Sequence, residues 1–501
     1  MNFPTGAGSD HCKRLSLLPM ELILGDVPWI VVLIILPLMG GMACFLFPII
    51  SKSLGLLISL AVVACVWGLG WQLSEEGAQR YAVGGWGAPL GIDLYADGLS
   101  LLMVAVSALV GLGISVYSSG YFSRDKANHF WPLWLFLCGA LNALFLSSDI
   151  FNLYVTLELL GLTAVALVAL ANGAEALTSA MRYLLVNLMG SLFYLLGVAF
   201  LYHSFGSLDI AILAQRAEPS PAVWAAVGLI STGLLLKTAL FPMHFWLPAA
   251  HACAPAPVSA LLSALVVKAS FYILLRMWLE IFPMVGTSFA QLLGLLGAAA
   301  VLWGGIQALR QTRLKLLIAY STVSQLGYLF LAFPLGISIA WKGALYMLLS
   351  HAVAKAAMFM AAGNILAAGG DDRIAALSSI AQRLPLTLTA FALAGISIMG
   401  LPPSGGFIAK WLLLEASIQS GQWWWGVILL LGGLLAAAYV FKVVGHVFTQ
   451  AEQTLEARDV PARMEWTALG LALVVIFLGL FASWPLALME IGSPFGEGGT
   501  G

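Results

Sequence analysis

Residues 231–257 read STGLLLKTALFPMHFWLPAAHACAPAP, and this stretch decides the fold of the chain. An apolar run long enough to enter a membrane carries Lys237 in its interior. It is then interrupted by a series of prolines and histidines: Pro242, His244, Pro248, His251, Pro255 and Pro257. In lipid, each proline leaves a backbone carbonyl that needs another partner, and a lysine costs about 2.5–3.5 kcal/mol on insertion scales. A buried charge beside a broken helix is typical of a hydrated ion path. The alternative is a kinked structural helix whose lysine reaches the headgroups.

The composition is that of a polytopic membrane protein. Of the 501 residues, 61% are hydrophobic and only 9% are charged, whereas about 25% of the residues of a soluble protein are charged. Because about 20 apolar residues cross a bilayer as a helix, the chain holds about fourteen transmembrane helices joined by short loops. The short alternating segments of a transmembrane β-barrel do not occur in the sequence. We therefore predict an all-α, multi-pass fold embedded in the lipid bilayer.

Charge and motifs argue against several classes of function. A net charge of -1 without a long basic tract gives no support to nucleic-acid binding. Iron–sulfur and zinc sites need clustered cysteines, and the five cysteines are scattered singly at Cys12, Cys44, Cys65, Cys138 and Cys253. No dinucleotide-binding glycine motif, Walker loop or haem motif occurs. We expect no cofactor or metal in this chain, so that any redox or nucleotide chemistry belongs to partner proteins.

The lysines and arginines of the loops between the predicted spans set the orientation. The spans are 28–49, 53–73, 97–118, 130–147, 150–171, 180–203, 222–241, 257–278, 286–309, 314–335, 338–366, 386–418, 424–448 and 465–489. With the N-terminus outside, the inward loops hold Lys52, Arg124, Lys126, Arg182, Arg310, Arg313, Lys315, Arg373, Arg383, Arg458 and Arg463. The outward loops hold Arg80, Arg216, Arg276 and Lys342, and the N-terminal tail adds Lys13 and Arg14. We predict that both termini lie on the outer side of the inner (plasma) membrane.

A second interrupted span, residues 386–418, reads LTLTAFALAGISIMGLPPSGGFIAKWLLLEASI. It is too long for one crossing and is broken at Gly400, Pro402, Pro403, Gly405 and Gly406, after which Lys410 follows. The two broken spans are the seventh and the twelfth. Because equivalent spans lie five apart, they run in opposite directions, which indicates an inverted repeat of helices 4–8 and 9–13. Lys237 precedes its proline whereas Lys410 follows its pair, so the repeat is inferred from topology and not from sequence similarity.

This topology predicts five segments along the chain. Residues 1–27 are an N-terminal tail and residues 28–125 contain helices 1–3. Residues 126–280 and 281–450 are the two five-helix repeats, and residues 451–501 contain helix 14 and a C-terminal tail. Ion-binding groups are expected near the breaks of helices 7 and 12, where interruption leaves backbone groups free.

Five charged side chains lie deep in the predicted membrane, each on a different helix: Glu158, Lys237, Lys268, Lys355 and Lys410. Each lysine costs roughly 3 kcal/mol on insertion, although about ten leucine-like residues at -0.5 kcal/mol each still drive every helix into the bilayer. Structural pairing explains one acid with one lysine, Glu158 with Lys237. It does not explain four lysines with one acid. A row of charges at mid-depth, joined by water and histidine, fits a proton relay better.

His351 and Lys355 are four residues apart and therefore share one helix face, where both can take or give a proton. Three further side chains are accessory candidates: His244, His251 and Lys442. Structural alternatives stay open for several of these groups. Glu158 can be a protonated hydrogen-bond donor, His351 a satisfied polar contact, and Lys442 a side chain that reaches the headgroups.

Several stretches resemble, in the same order, motifs of the antiporter-like membrane subunits that Mrp-type cation/proton antiporters and respiratory complex I share. KTALFPMHFWLPAAHACAPAPVSALLSA resembles the most distinctive of these motifs. SDIFNLYVTLELL, LIAYSTVSQLGY, LLSHAVAKAAMF and GLPPSGGFIAKW resemble others. The resemblance covers roughly residues 95–450 and implies the fourteen-helix plan of the family.

The resemblance also implies roles for individual residues. In such subunits an acid of the fifth helix and lysines of the seventh, eighth and twelfth helices form a central hydrophilic axis, and these roles fall on Glu158, Lys237, Lys268 and Lys410. His351 and Lys355 match polar positions of the eleventh helix.

Three features of the chain narrow the choice between the subunit types of this family. The chain stops near the fourteenth helix, without the lateral helix of the L-type complex I subunit. Lys410 stands where the M-type carries a glutamate. EALTSAMRYLLVNLMGSLFYLLGVAFLYHSFGSLDIAIL looks closest to the D-type chain of Mrp antiporters.

We therefore expect a proton-translocating, D-like component of a multisubunit monovalent cation (Na+)/proton antiporter, acting with other membrane subunits on H+ and Na+. No acid-rich cation cage is visible in the sequence, which favours a proton role for this chain. One alternative is a proton-pumping membrane subunit of an NADH–quinone oxidoreductase or a membrane-bound hydrogenase, whose electron transfer lies in other subunits. Another is a structural membrane scaffold, in which loss of Lys237 or Glu158 affects assembly alone.

Overall fold

The computed structural model describes residues 27–283, 285–369, 372–379, 383–447 and 459–495. Within these ranges, twelve helices are long and apolar enough to cross a membrane, and Pro385–Met399 is a shorter apolar helix. The helical, multi-pass architecture expected from composition is therefore confirmed, whereas the count of fourteen spans and the inverted repeat stay predictions. Lys13, Arg14 and Arg458, which contributed to the predicted orientation, lie outside the described residues, as does Cys12.

The first three long helices enclose a short β-hairpin. Helix α1 covers Trp29–Leu46, α2 covers Ser51–Glu76 and α3 covers Gly98–Tyr121. Between α2 and α3, strand β1 (Gln79–Ala82) pairs antiparallel with β2 (Asp93–Ala96). Strands of four residues are too short to show an alternating pattern of polar and apolar residues. The hairpin is therefore an addition to the all-α prediction.

Helices α4 to α11 follow, and three of them have a side-chain cap at the N-terminus. The caps are the carboxylates of Asp149 and Asp209 and the hydroxyl of Ser220. They are α4 (Arg124–Phe145), α5 (Ile150–Ala169), α6 (Ala174–Phe205), α7 (Ile210–Arg216), α8 (Pro221–Thr238), α9 (Leu247–Cys253), α10 (Ala256–Leu261) and α11 (Val267–Glu280).

The remaining helices are α12 (Thr287–Arg310), α13 (Leu314–Phe330), α14 (Ala332–Leu335), α15 (Ser338–Gly369), α16 (Pro385–Met399), α17 (Gly405–Gln419), α18 (Trp423–Val447), α19 (Ala462–Leu480) and α20 (Ser483–Leu488). In the span Ala256–Glu280 and in α15, every residue of the most apolar 18-residue stretch is buried inside the protein. In α1 and α18 only 33% of such a stretch is buried. Helices α10, α11 and α15 therefore form the centre of the bundle, and α1 and α18 lie at its margin.

The first predicted break lies inside the membrane span. Helix α8 ends at Thr238, Ala239 adopts a left-handed φ of 58°, and a 3-10 turn covers Met243–Trp246. The seventh span was predicted to end at residue 241, but the chain continues through α9 and completes the crossing. The indole N–H of Trp246 donates to the carbonyl of Leu236 at 3.0 Å. A carbonyl near the break thus has a partner inside the protein, which the lipid requires.

The second predicted break separates α16 from α17. Gly400 follows α16 with a φ of 83°, and the segment 401–404, which contains Pro402 and Pro403, links the two helices. Helix α17 restarts where the hydroxyl of Ser404 accepts from the backbone N–H of Phe407 at 3.3 Å. The span 386–418 is therefore two helices rather than one.

A third irregularity, which the sequence did not predict, joins α10 to α11. Leu262–Val266 form a π-helical turn, in which each backbone hydrogen bond spans one residue more than in an α-helix. The apolar letters LSALV give no sign of this change. Lys268 follows the turn directly, so the irregular backbone lies beside a predicted relay residue.

Ion pairs close the end of the bundle that carries the hairpin. Arg276 of α11, whose side chain is only 3% exposed, donates to both carboxylate oxygens of Asp97 at 2.7 and 2.9 Å and to Glu280 at 2.8 Å. Arg80 of β1 donates to Asp93 at 2.6 Å. Arg276 was assigned to the outward loops, but it lies within α11. It is buried because several acceptors surround its guanidinium.

Two pairs of glycines let neighbouring helices approach closely. A Cβ atom on Gly233 of α8 would lie 2.3 Å from the carbonyl oxygen of Gly190 on α6. A Cβ atom on Gly327 of α13 would lie 2.3 Å from the carbonyl oxygen of Gly297 on α12. Small residues at such contacts allow backbones to pack directly in a membrane, where no hydrophobic force drives helix association. Gly233 lies one turn before Lys237 and therefore positions it against α6.

We predict that Gly233→Ala destabilises the protein by about 1–3 kcal/mol, because the added methyl group meets a backbone atom that cannot move away. Gly228→Ala on the same helix is the matched control, since a Cβ atom there meets nothing within 4 Å. Thermal unfolding of the detergent-solubilised protein measures both variants. Equal midpoints for the two would show that the close contact between α6 and α8 does not limit stability.

Candidate functional site

Glu158 of α5 and Lys237 of α8 form an ion pair inside the membrane region. The ammonium nitrogen of Lys237 lies 3.1 Å from Glu158 Oε1 and donates to Asn187 Oδ1 of α6 at 2.7 Å. The hydroxyl of Ser191, also on α6, donates to the same carboxylate oxygen of Glu158. The side chains of Lys237 and Glu158 are 4% and 17% exposed. The pair expected from the sequence is therefore present, and two polar residues of α6 hold it.

Polar atoms beside this pair extend onto α11, the helix that carries Lys268. The hydroxyl of Thr238, the residue after Lys237, lies 2.9 Å from that of Ser270 on α11. A small cavity of about 10 Å³ has Lys237, Asn187 and Ser270 in its wall. This is about the room that one water molecule needs.

Lys268 is completely buried and depends on the π-helical turn. Its ammonium nitrogen donates to the carbonyl of Ser263 at 2.5 Å. The hydroxyl of Ser263 in turn lies 2.8 Å from that of Thr322 on α13. Among the described residues, no carboxylate lies within ion-pair distance of Lys268. Its charge is therefore held by a backbone dipole rather than by an acid.

Lys355 of α15 is equally buried and points at α13. Its ammonium group donates to the carbonyl of Ile318 at 3.0 Å and to the hydroxyl of Ser321. His351, one turn earlier on α15, is within electrostatic reach of Lys268, Lys355 and Lys410. Neither imidazole nitrogen of His351 has a hydrogen-bond partner among the residues described. The structure thus brings the imidazole near all three lysines.

Lys410 of α17 folds back across the second break. Its ammonium nitrogen donates to the carbonyls of Ile398 at 2.8 Å and Met399 at 3.1 Å, at the broken end of α16. It also lies 4.7 Å from the centre of the Tyr328 ring, a distance at which an aromatic face attracts a cation. Lys410 therefore caps the helix that precedes it, which explains why it follows the prolines.

The three accessory candidates have separate surroundings. His244 stacks on Phe241 with ring centres 5.6 Å apart, and His251 lies buried in α9 against Phe359 at 6.0 Å. Lys442 donates to the carbonyls of two residues at the end of α12, Leu309 at 2.8 Å and Gln311 at 2.7 Å. These bonds make Lys442 a cap of α12, and its role as an accessory relay group stays a prediction.

A cavity of about 700 Å³ opens at the end of the bundle opposite the hairpin. Lys126, Arg313, Lys315 and Asp372 are in its wall. Lys315 was assigned to an inward loop, but its side chain is buried and donates to the carbonyl of Ala254 after α9. Arg313 pairs with Asp372 at 3.0 Å, and this hydrogen bond raises the pKa of Arg313, so that its guanidinium stays charged. The cavity ends beside α9, which carries His251.

Sequence reasoning missed the neutral polar partners of the charges. These are Asn187, Ser191, Ser263, Ile318 through its carbonyl, Ser321 and Thr322. The only sequence signal was the unusual density of hydroxyl and amide groups in two apolar spans, around LVNLMGS and AYSTVSQ. Hydroxyl groups can accept a proton on one side and release one on the other, whereas carbonyls only hold an ammonium group. The arrangement therefore suits proton transfer between fixed lysines.

The chain matches known proteins over most of its length. A sequence profile described as NADH:quinone oxidoreductase/Mrp antiporter, transmembrane, matches residues 147–436. The profile of the N-terminus of chain 5 of NADH-ubiquinone oxidoreductase (complex I) matches residues 86–131. The N-type subunit of the NADH-quinone oxidoreductase of Desulforudis audaxviator is 36% identical over 479 residues, covering 90% of this chain and 95% of the relative.

Two further comparisons extend this match, the first with an antiporter component and the second with a solved structure. The D-type subunit of the Na(+)/H(+) antiporter of Bacillus subtilis is 29% identical over 455 residues, covering 88% of this chain and 89% of the relative. A chain in the structure of the Mrp complex from Dietzia sp. superposes with a TM-score of 0.86 over 93% of this chain and 99% of that chain. At 23% identity, this superposition shows the shared fold alone. From the profile match and the identity along the chain, we conclude that this protein belongs to the NADH:quinone oxidoreductase/Mrp antiporter family of transmembrane subunits.

Proposed function

We propose that this chain is the proton-translocating, D-like component of a multisubunit monovalent cation (Na+)/proton antiporter. Protons pass along six side chains: Glu158, Lys237, Lys268, His351, Lys355 and Lys410. The observation that carries the proposal is the burial of Lys237, Lys268 and Lys355 on three helices, with Lys410 half-buried on a fourth and one carboxylate among them. The similarity to the antiporter chain of Bacillus subtilis supports it.

In this proposal, the Glu158–Lys237 pair couples one proton transfer to the next. While the two charges lie 3.1 Å apart, they largely cancel. Their separation exposes Lys268 to an uncompensated positive charge and favours release of its proton. A proton that crosses 100 mV gains about 2.3 kcal/mol, which corresponds to a change of about one to two pKa units. Modest electrostatic changes are therefore large enough to gate the path.

The sodium path belongs to partner subunits in this proposal. The intramembrane charges described here are mostly ammonium groups, which repel a monovalent cation, and one carboxylate already paired with a lysine. Structures of this fold occur in multisubunit assemblies such as the Mrp complex. The exposed apolar faces of α6 and α18 leave room for neighbouring subunits or lipid.

A second candidate function is proton pumping within a respiratory complex. The 36% identity to the N-type subunit of an NADH-quinone oxidoreductase favours it, and the lysines would do the same work, driven by electron transfer in other subunits. Purification of the chain from its native membrane distinguishes the two. Co-purifying antiporter subunits support the first candidate, and iron–sulfur or hydrogenase-like subunits support the second.

We further propose that the protein lies in the inner (plasma) membrane with both termini outside. The basic cavity of Lys126, Arg313 and Lys315 then faces the cytoplasm, as the excess of positive charge on inward loops requires. Residues 126–280 and 281–450 are proposed as the inverted repeats, with 28–125 and 451–501 as flanking segments. Each repeat contains one broken crossing with a lysine beside the break.

We predict that Lys237→Ala and Glu158→Ala each lower proton-linked transport about a hundredfold, the scale of losing a proton-transferring group. The measurement is proton uptake into inverted vesicles at matched yield of the complex. Lys342→Ala is the control, because Lys342 pairs with Glu490 at 2.5 Å on the exposed surface. Normal transport by both relay variants would remove the relay and leave the structural scaffold as the explanation.

We predict that Lys268→Met abolishes transport while the protein stays as stable as before or becomes more stable by about 1–4 kcal/mol, as when packed apolar groups replace buried ions. A purely structural lysine gives the opposite result, a loss of stability with transport retained. Lys52→Met, at an exposed position of α2, controls for loss of one positive charge. Thermal unfolding and vesicle transport, measured on the same preparations, separate the outcomes.

A further inference from the structure

Helix α13 carries a stripe of polar side chains for which the sequence suggested no role. Ser321, Gln325 and Tyr328 are spaced four and three residues apart, so they share one helix face. All three are completely buried. In a membrane protein this burial means that they face other helices and not lipid. The stripe spans about 10 Å along the helix axis at 1.5 Å per residue.

The two ends of this stripe meet two lysines on different helices. At one end, the ammonium group of Lys355 donates to the hydroxyl of Ser321. At the other end, Lys410 lies 4.7 Å from the ring centre of Tyr328. The stripe therefore runs from the lysine of α15 to the lysine of α17, neither of which bonds directly to the other.

Tyr439 of α18 faces the middle of the stripe. Its hydroxyl accepts a hydrogen bond from Nε2 of Gln325 at 3.4 Å and lies near the hydroxyl of Ser321. It is also within electrostatic reach of the Tyr328 hydroxyl. The side chain of Tyr439 is fully buried although α18 lies at the margin of the bundle. Its oxygen thus contacts the middle of the stripe at Gln325 and lies near its Ser321 end.

The backbone of α18 is shaped to admit the second tyrosine. A Cβ atom on Gly432, two turns before Tyr439, would lie 2.2 Å from the Tyr328 hydroxyl. Any residue larger than glycine at position 432 would displace that oxygen. Two residues of one marginal helix therefore serve the same buried polar stripe.

Two polar atoms of the stripe are buried and have no partner among the residues described, Gln325 Oε1 and the Tyr328 hydroxyl. Buried polar groups in proteins are satisfied by protein atoms or by ordered water. Both atoms lie between Lys355 and Lys410. They indicate positions where water completes a continuous chain of hydrogen bonds.

We propose that Ser321, Tyr439, Gln325 and Tyr328, together with ordered water, form the link that carries a proton from Lys355 to Lys410. In each transfer the Lys355 ammonium group becomes an amine, and every hydroxyl or water accepts one proton and releases another. The Lys410 amine becomes an ammonium group, so that the intervening groups end unchanged. Gln325 takes no proton and positions Tyr439 and a water. The inference rests on the proposed function of the chain, and the competing connection runs through His351.

Tyr439→Phe and Gln325→Met in the assembled complex test the link, because each removes polar atoms with little change in volume. We expect proton transport in inverted vesicles to fall at least about tenfold, by the loss of groups that pass or position a proton. We also expect a larger solvent deuterium isotope effect, because the transfer that has been slowed becomes rate-limiting. Tyr194→Phe is the matched control. Tyr194 is also fully buried and donates to a backbone carbonyl, that of Ile150, at 3.0 Å in the first half of the chain.

Three outcomes are informative. Suppose that Tyr439→Phe keeps the wild-type transport rate and isotope effect while Lys268→Met loses transport. This result overturns the link and leaves the proposed function standing. If His351→Phe loses transport and Tyr439→Phe transports normally, the transfer is assigned to the imidazole, which also overturns the link. Normal transport in Lys268→Met and in Glu158→Ala removes the proposed function itself, and the link with it.

Discussion

Backbone carbonyls solvate the buried ammonium groups of this protein, and the arrangement of its central helices depends on that contact. Lys268 bonds a carbonyl of the π-helical turn, and Lys410 bonds carbonyls at the broken end of α16. Lys442 does the same at the end of α12. In lipid, a carbonyl without a helical partner and an ammonium group without water are each unfavourable. Placed together, each satisfies the other, which reduces the cost of burying both in lipid.

Lys237 differs from the other relay lysines because a carboxylate meets it. The Glu158–Lys237 pair is neutral while closed, and its separation creates two charges within the membrane. Lys268, Lys355 and Lys410 have no acid partner among the described residues and are held by carbonyl and hydroxyl oxygens. In the proposed function, this difference gives the pair a switching role and gives these three lysines a conducting role. Asn187 and Ser191 of α6 hold the pair closed, and the contact of Gly190 with Gly233 places α6 against α8.

Particular residues show how far sequence reasoning reached. The cost of inserting a lysine into lipid and the neighbouring prolines singled out Lys237 and Lys410 as residues beside broken helices. The structure shows a break beside each of them. The π-helical turn at 262–266 could not be predicted, because an apolar stretch allows α and π hydrogen bonding alike. Lys442 caps α12 because a second helix ends next to it, a contact that no local pattern indicates, and its accessory role stays a prediction. Ser321 lies in the hydroxyl-rich stretch AYSTVSQ, but Tyr439 gave no signal, since hydroxyl-bearing residues are common in apolar helices and only packing selects the face that matters.

Composition and local pattern show that this chain spans a membrane repeatedly, that two of its spans are broken, and which side chains carry charge into the lipid. These properties follow from local chemistry, namely the insertion free energy of each residue and the missing N–H of proline. Only the tertiary structure decided which carbonyl holds each lysine and which hydroxyl groups lie between them. Those contacts join helices that are far apart in the chain, such as α13 with α15 and α18. No local pattern records a distance between segments that meet only when the bundle packs.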